Sequence, residues 1–220
     1  MSTAAKLQPI AEKRRIPIVG RVAITAGALA LWFWTQSLIG ARRLHGEAIG
    51  DAIHALTSGL NAYLGNHPAA TNALLIASSA VIDCLGIYLL AKWIFGKTAR
   101  PFVGLVIVLG LRQVLQALVA LPAPPQDLWH YPGFPSLLVT YGVSNDFFYS
   151  GHTSIAVFGA TELWREGNVW LRAIAILVVG FEVSTVLILR AHYTMDVYAG
   201  LVTALLAAVL ADKWTGTTAT

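Results

Sequence analysis

The chain has 220 residues, of which 56% are apolar and only 12% are charged, and its mean hydropathy is +0.65. An average soluble domain carries about twice this charged fraction, so the composition excludes an ordinary water-soluble globule and a disordered chain. The net charge of +4 does not indicate nucleic-acid binding, because the basic residues stand beside apolar segments instead of forming a stripe. Cys84 is the only cysteine, which excludes an intrachain disulfide and a cysteine-based metal cluster.

The apolar segments predict an all-α protein, a bundle of six transmembrane helices in one domain. Six spans of about 20 residues use roughly 120 residues and leave no room for a second domain. We expect a cytosolic N-terminal tail (1–17), a single integral membrane catalytic domain (18–213) and a C-terminal tail (214–220). The first span has no small-residue cleavage site, and we expect it to stay uncleaved. The predicted spans are residues 18–39, 71–95, 101–121, 152–165, 169–189 and 193–212.

Two of the connecting segments differ in character. Residues 40–70 are weakly amphipathic and form either a helix on the membrane interface or a solvated loop. Residues 122–148, between the third and fourth spans, contain five of the nine prolines, so regular structure is not expected there. A loop of this length in a compact protein is usually functional.

Lysine and arginine residues near the ends of the spans indicate the orientation in the membrane. Six spans put both termini on one side, and basic residues concentrate on the cytosolic side. With the N-terminal tail in the cytosol, eleven basic residues face the cytosol (Lys6, Lys13, Arg14, Arg15, Arg21, Lys92, Lys97, Arg100, Arg165, Arg172 and Lys213), and three do not (Arg42, Arg43 and Arg190). The 122–148 loop and the starts of the fourth and sixth spans therefore face the non-cytosolic side.

Two polar segments, residues 145–153 and 190–197, are expected to meet at this non-cytosolic face. His192 and Asp196 are four residues apart, so on a helix they share a face and the carboxylate can accept the imidazole N–H. The other ring nitrogen is then a nucleophile or a base. His152 follows Ser150 and Gly151 at the start of a span, where unpaired N–H groups favour an anion.

Two histidines, an aspartate and an anion site suit phosphoryl transfer through a phosphohistidine. The alternative is that the histidines lie at the membrane interface without chemistry. That alternative explains one histidine better than it explains the pair.

Ser-Gly-His-Thr at 150–153 and His-Tyr-Thr-x-Asp at 192–196 resemble the paired motifs of the lipid phosphatase and phosphotransferase (type 2 phosphatidic acid phosphatase) superfamily. They resemble specifically its sphingomyelin synthase branch, and three residues separate Asp146 from Ser150 as in that branch. The plant phosphatidylcholine:diacylglycerol cholinephosphotransferases are also similar, through Phe-Tyr-Ser-Gly-His at 148–152, Arg-x-His-Tyr-Thr-x-Asp at 190–196, and Arg112 ten residues before Pro122. The resemblance covers about residues 100–200.

This resemblance implies six transmembrane helices and a metal-independent exchange of a phospho-headgroup between two lipids. By analogy, His192 attacks the phosphorus and Asp196 orients it. His152 protonates the departing diacylglycerol and then deprotonates the acceptor alcohol, a ping-pong covalent mechanism. Substrate-binding residues are then expected among Ser150, Gly151, Arg190, Arg112 and Asp146.

The chain departs from the phosphatases of this superfamily at two positions. They carry a Lys-x6-Arg-Pro motif, whereas here Trp93 stands seven residues before Arg100, with Lys92 one position off. We therefore interpret Arg100 as a positive-inside anchor. The phosphatases also place an arginine six residues before the nucleophilic histidine, where this chain has Val186. Both differences favour a transferase.

Three ionisable residues, Asp83, Arg112 and Glu182, fall near the middle of their predicted spans. They form either a buried structural ion network or, for Arg112, a contact to phosphate or substrate. Arg190, beside His192, is the better candidate for bidentate phosphate binding, with interface anchoring as its alternative.

Aromatic residues are dense in and beside the 122–148 loop: Trp129, Tyr131, Phe134, Tyr141, Phe147, Phe148 and Tyr149. They form either an interfacial belt or a box for quaternary choline, with Asp146 or Asp127 as counter-charge. Four further histidines show no ligand spacing and are assigned no role: His45, His54, His67 and His130.

The sequence therefore predicts a multi-pass integral membrane transferase whose active site faces the non-cytosolic side. It moves a phosphocholine or phosphoethanolamine group from a glycerophospholipid donor to a lipid alcohol, diacylglycerol or ceramide, without metal, cofactor or nucleic acid; the oligomeric state stays open. One alternative is a lipid phosphate phosphatase, in which water resolves the same phosphohistidine. A second alternative is a transporter, but the sequence shows no convincing internal repeat of the kind that transporters contain. A non-catalytic scaffold would not explain the spacing of the histidine and the aspartate.

Overall fold

The structure is a computed structural model that describes residues 16–40, 49–142 and 147–217. Within these ranges the chain forms α helices and no strand, so the all-α prediction is confirmed for them. The helices are α1 (Ile18–Gly40), α2 (Ala52–Leu56), α3 (Ser58–Gly65), α4 (Pro68–Phe95), α5 (Arg100–Leu118), α6 (Gly151–Arg165), α7 (Val169–Ile188) and α8 (Thr194–Thr215).

Six of these helices coincide with the six predicted spans, every end within three residues of its expected position. Five of them, α1, α4, α5, α7 and α8, are long and apolar enough to cross a membrane, which fits an integral membrane protein. The remaining helix, α6, has 15 residues. It is about 22 Å long, less than the roughly 30 Å of the hydrocarbon core. Six complete crossings therefore stay a prediction.

Helix α6 lies among the other long helices and is buried by them. It contacts α4, α5, α7 and α8, and every residue from Thr153 to Gly159 is buried. Two glycines allow this close approach: Gly104 of α5 lies against the Phe158 ring, and Gly159 lies against Leu85 of α4. Small residues at helix contacts are typical of membrane bundles, where close packing replaces the hydrophobic effect. Because protein surrounds it, α6 does not need the length of a lipid-facing helix.

The C-terminal end of α6, which is predicted to face the cytosol, carries part of a group of paired charges. We call this group the inner charge cluster: Lys92, Arg100, Glu162, Arg165 and Asp212. Arg100 forms an ion pair with Glu162, and its Nε donates to Asp212 Oδ1 at 2.6 Å. The Arg100 side chain is only 3% exposed. The positive-inside location of Arg100 stays a prediction, but its side chain does more than anchor the chain, because it joins three helices, α5, α6 and α8, in a buried ion pair network.

Two short helices, α2 and α3, cover the turn between α7 and α8. Their buried residues are polar, and both reach main-chain carbonyls beneath them: His54 Nε2 donates to His192 O at 3.0 Å, and Asn61 Nδ2 donates to Ile188 O at 2.9 Å. Leu56 and Leu60 point outward and are exposed. The 49–66 part of the amphipathic segment is thus helical and docked, and its position on a membrane interface stays a prediction.

The connection between α5 and α6 has turns and bends but no helix or strand over residues 119–142. Its path is held by Asp83 of α4, which accepts hydrogen bonds from the main-chain N–H groups of Leu137 at 2.8 Å and Leu138 at 2.9 Å. Ser136 Oγ donates to the same carboxylate. Asp83 is therefore a loop anchor, and the loop it holds forms one wall of the cavity described next.

Candidate active site

A cavity of about 300 Å³ lies at the N-terminal end of α6. Its walls come from α1, α4, α5, α6, the 119–142 loop and the turn between α7 and α8. His152 and His192 both line it, so the two polar segments do meet as predicted. The other polar or aromatic lining residues are Trp32, Arg112, Asp127, Trp129, Thr140 and Phe147.

His192 lies in the turn before α8, and its side chain is 8% exposed. Its Nδ1 is 2.8 Å from the main-chain oxygen of Phe147. A carbonyl oxygen only accepts, so Nδ1 carries the proton and donates it in this hydrogen bond. The other nitrogen, Nε2, is then unprotonated in the neutral ring and presents a lone pair.

Asp196 does not hold the His192 ring in the way that the spacing predicts. Because α8 begins at Thr194, His192 precedes the helix, and the two residues do not share a helical face. Asp196 Oδ2 is 3.8 Å from His192 Nδ1, too long for a hydrogen bond, and accepts instead from the main-chain N–H of Tyr193 at 2.9 Å. The prediction that Asp196 accepts the imidazole N–H is therefore wrong, although its buried carboxylate lies close to the ring.

Asp196 and His152 each leave a buried polar atom without a partner. In the part of the chain that the structure describes, neither Asp196 Oδ1 nor His152 Nε2 has a hydrogen-bond partner. His152 is the second residue of α6, and the Trp129 ring stands edge-on to it, with ring centroids 4.8 Å apart. Buried polar atoms are normally satisfied, so the unpartnered Nε2 of His152, a residue that lines the cavity, marks a place for a ligand.

Ser150 and Gly151 shape the first turn of α6 in different ways. Ser150 caps the helix, because its Oγ accepts from the N–H of Thr153 at 3.3 Å and from its hydroxyl at 3.0 Å. Ser150 is fully buried and is not among the residues that line the cavity. Gly151 does line it, and a Cβ there would lie 3.0 Å from Arg112 Nε. Glycine at 151 therefore lets the guanidinium pack against the N-terminus of α6.

Arg112 projects from α5 into the cavity wall and is 5% exposed. Its Nε donates to the Tyr149 carbonyl at 3.1 Å, and Nη1 lies 3.4 Å from Gln116 Oε1. Asp83 and Glu182 do not form the predicted ion network with Arg112, because each carboxylate has other partners. Asp83 anchors the loop, and Glu182 accepts from Ser78 Oγ at 2.6 Å. Of the three mid-span ionisable residues, Arg112 is the one that the structure places at the site.

Arg190 and Asp146 complete the predicted set. Arg190 has a left-handed backbone, φ 58°, and its guanidinium donates to the His54 carbonyl at 2.8 Å and the Pro125 carbonyl at 3.3 Å. It is not among the lining residues, so its contact with phosphate stays a prediction. In this structure it braces the turn before His192. Asp146 lies outside the described residues.

Sequence reasoning missed Asp51 and His54, which hold the His192 turn from the other side. Asp51 accepts from the main-chain N–H of Thr194 at 2.6 Å and from its hydroxyl at 2.8 Å, and it also caps α2. Burial raises the pKa of the Asp51 carboxyl, but the hydrogen bonds from Thr194 and His54 outweigh it and hold that pKa below 3.8. An N-cap aspartate three residues before a histidine was the available signal.

Two further residues outside the predicted set position the site. Gly200 of α8 faces the start of α6, where a Cβ would lie 2.7 Å from the Ser150 carbonyl oxygen. Gln36 of α1 accepts from Gln113 Nε2 at 2.8 Å and lies 3.5 Å from Arg112 Nη1. Amide side chains within apolar spans were the signal for this contact, since they need polar partners there.

No metal site is apparent in the ranges that the structure covers, where no three His, Cys, Asp or Glu side chains are grouped to hold an ion.

Comparison with known proteins gives one family. Residues 50–213 match the family model AtPDCT1/2, which describes phosphatidylcholine:diacylglycerol cholinephosphotransferases. The match covers about three quarters of the chain, including α2 and α3 but not α1. Searches of curated proteins and of solved structures give no match.

Proposed function

Since the chain belongs to the phosphatidylcholine:diacylglycerol cholinephosphotransferase family, we propose that it transfers phosphocholine from phosphatidylcholine to diacylglycerol through a phosphohistidine at His192. The observation that carries this proposal is the hydrogen bond from His192 Nδ1 to the Phe147 carbonyl, beside a cavity that also holds His152 and Arg112. It leaves Nε2 as the nucleophile. Diacylglycerol replaces ceramide as the favoured acceptor because of the family.

In the first half-reaction, His192 Nε2 attacks the phosphorus of phosphatidylcholine. The bond between phosphorus and the diacylglycerol oxygen breaks, and His152 gives its proton to that oxygen. Diacylglycerol leaves, and phosphocholine stays bonded to His192. In the second half-reaction, His152 takes the hydroxyl proton of the incoming diacylglycerol, whose oxygen attacks phosphorus and releases His192. No proton or bond is left over, and water is not consumed.

Arg112 and the N-terminus of α6 supply the electrostatic part of the reaction. The first N–H groups of a helix have no acceptor within it and carry partial positive charge. Arg112 packs against this turn at Gly151 and lines the same cavity. In this proposal both stabilise the phosphoryl oxygens, whose negative charge increases in the transition state. The Asp196 carboxylate, 3.8 Å from the His192 ring, stabilises the positive charge that the ring gains on attack.

Trp129 and Asp127 are our candidates for recognition of choline. Both line the cavity, and Asp127 Oδ1 accepts from the main-chain N–H of Trp129 at 2.7 Å. The Trp129 ring stacks on Tyr141, with centroids 5.5 Å apart, which fixes its orientation. A quaternary ammonium binds over such a ring by cation–π attraction. Tyr131 and Phe134 are 58% and 51% exposed and suit the interfacial belt instead.

The test is a liposome assay with headgroup-labelled short-chain phosphatidylcholine as donor and unlabelled long-chain diacylglycerol as acceptor. We expect label in long-chain phosphatidylcholine with the wild-type protein, and none with His192→Ala. His67→Ala is the matched control, because His67 is exposed and lies outside the cavity.

Three outcomes of this assay contradict the proposal. Water-soluble phosphocholine that forms without acceptor would identify a phosphatase-type hydrolase. Transfer that survives in His192→Ala would show that His192 is not the nucleophile. Absence of any turnover by the wild type would show that the protein does not catalyse this reaction.

A further inference from the structure

A second cavity, of about 220 Å³, lies between α1, α4 and α5 and is separate from the histidine site. Its walls are almost entirely apolar; the polar exceptions are Thr25, Thr35 and Gln113. We call it the α1/α5 groove. Trp32 and Leu109 line both this groove and the active-site cavity, so the two spaces share a wall.

The length of the groove is close to half of the hydrocarbon thickness of a bilayer. Along α5 it extends from Phe102 to Gln113, about 16 Å at 1.5 Å per residue. This is about half of the hydrocarbon thickness of a membrane. Gln113 is next in sequence to Arg112, while Phe102 lies toward Arg100 and the inner charge cluster. The groove therefore runs from the level of Arg112, which lines the active-site cavity, toward the end of the bundle that holds the inner charge cluster.

The groove is open to the surrounding lipid along its side. Leu31 of α1 and Val106 of α5 line it and are 58% and 44% exposed. Gly110 widens it, because nothing lies within 4 Å of where its Cβ would be. The wall between the two spaces contains the Trp32 ring, which is only 7% exposed. A hydrocarbon chain entering from the lipid thus meets an apolar surface beside the catalytic residues.

We propose that the α1/α5 groove holds an acyl chain of the glycerolipid whose phospho-headgroup occupies the active-site cavity. This inference rests on the proposed function. Donor phosphatidylcholine and acceptor diacylglycerol carry the same kind of acyl chain, so one groove serves both half-reactions. Helix α1 lies before the family match at 50–213, so the family match does not assign this groove. Because an acyl chain in the groove packs against its walls, the length and shape of the groove determine which chain lengths fit.

The decisive variant is Gly110→Leu, which fills the groove at a position with free space. Gly180→Leu is the matched control, since Gly180 is also a helical glycine with nothing within 4 Å of a Cβ and does not line the groove. We expect Gly110→Leu to lower kcat/KM for dioleoyl substrates about tenfold or more, because the leucine side chain takes the space that the acyl chain needs. Its kcat/KM for dihexanoyl substrates should stay within about twofold of the wild type, as should both values for Gly180→Leu.

Ala28→Phe is a second variant that fills the same groove from α1, and it should show the same selective loss. Mixed assays separate the two lipids: a long-chain donor with a short-chain acceptor, and the reverse, should both be impaired. An equal loss with long and short chains, or no loss with long chains, would overturn the inference.

A measurement without turnover separates this inference from the proposed function. Phosphatidylcholine with a photoreactive diazirine in its acyl chain should label peptides containing residues 25–35 and 102–113, and Gly110→Leu should abolish that labelling. If the wild type transfers phosphocholine but labelling falls elsewhere, the groove assignment fails and the function stands. If labelling falls in the groove but no transfer occurs, the acyl-chain site stands and the proposed reaction fails.

Discussion

The two ends of the helix bundle treat buried polar groups in opposite ways. In the inner charge cluster, Arg100 pairs with Glu162 and Asp212, so that the charges satisfy one another. At the other end of α6, His152 Nε2 and Asp196 Oδ1 are buried without a partner in the described chain, and His152 lines a cavity of about 300 Å³. Paired groups stabilise the helix arrangement, whereas groups left open beside a cavity are available to a substrate. The comparison therefore assigns stability to one end and chemistry to the other.

After the nucleophile variant His192→Ala, the largest effect is expected for His152→Ala. A general acid–base histidine contributes about 10²–10⁴-fold, so kcat for transfer should fall by that factor. The apparent Tm in detergent should change little, because no hydrogen bond of the described chain to His152 Nε2 is lost. Steady-state transfer assays and thermal unfolding check both parts. A large fall in Tm with kcat retained would place His152 with the structural residues.

At the inner end, Arg100→Gln should act on stability. Removal of one partner from a buried ion pair costs about 3–5 kcal/mol, and we expect a smaller loss here because Lys92 Nζ stays 3.5 Å from Glu162 Oε2. The double variant Arg100→Gln/Glu162→Gln should recover part of this loss. Thermal unfolding measures the change, and kcat per folded molecule should stay near the wild-type value. A selective loss of kcat in the folded variant would mean that the inner cluster takes part in the reaction.

Arg112→Gln tests the electrostatic role at the outer end. Loss of a charged donor directed at the transition state costs about 10²–10³ in kcat. Arg112→Lys keeps the charge but not the planar donor geometry, and should recover only part of the rate. The contrast with Arg100→Gln sharpens the comparison, because both arginines are buried but only Arg112 lines the cavity. Equal kcat in wild type and Arg112→Gln would remove Arg112 from the site.

The smallest effect is expected for Asp51→Asn, which keeps the shape of the side chain but not its charge. We expect a loss of about 1–2 kcal/mol, since the N-termini of α2 and α8 lose an anionic acceptor. The pKa of Asp51 lies below its ordinary value in the folded state, so its stabilisation is complete above pH 3.8 and is lost as the pH falls through the folded pKa. The Tm difference between wild type and variant should therefore be constant near neutral pH and shrink in acid. A difference that grows in acid would contradict this assignment.

The sequence alone predicted the helices and their order, because a span is a local property of about 20 consecutive apolar residues. It also predicted that His152 and His192 meet, since a chain that crosses a membrane repeatedly brings alternate connections to the same face. The motifs around these histidines led to the family that the wider comparison supports.

Only the tertiary structure decided which polar side chains and carbonyls form hydrogen bonds and ion pairs with each other. Phe147 rather than Asp196 accepts from His192 Nδ1, because α8 begins two residues after His192 and the turn directs the ring toward the preceding loop. From its sequence neighbours Arg100 was expected to be a positive-inside anchor, and the structure shows it in a buried ion pair network. Arg190 was expected to bind phosphate, and in the structure it donates to main-chain carbonyls. Helical spacing describes neighbours within one helix, whereas these contacts join residues distant in the chain at helix ends. The direction of the backbone there depends on how the whole bundle packs.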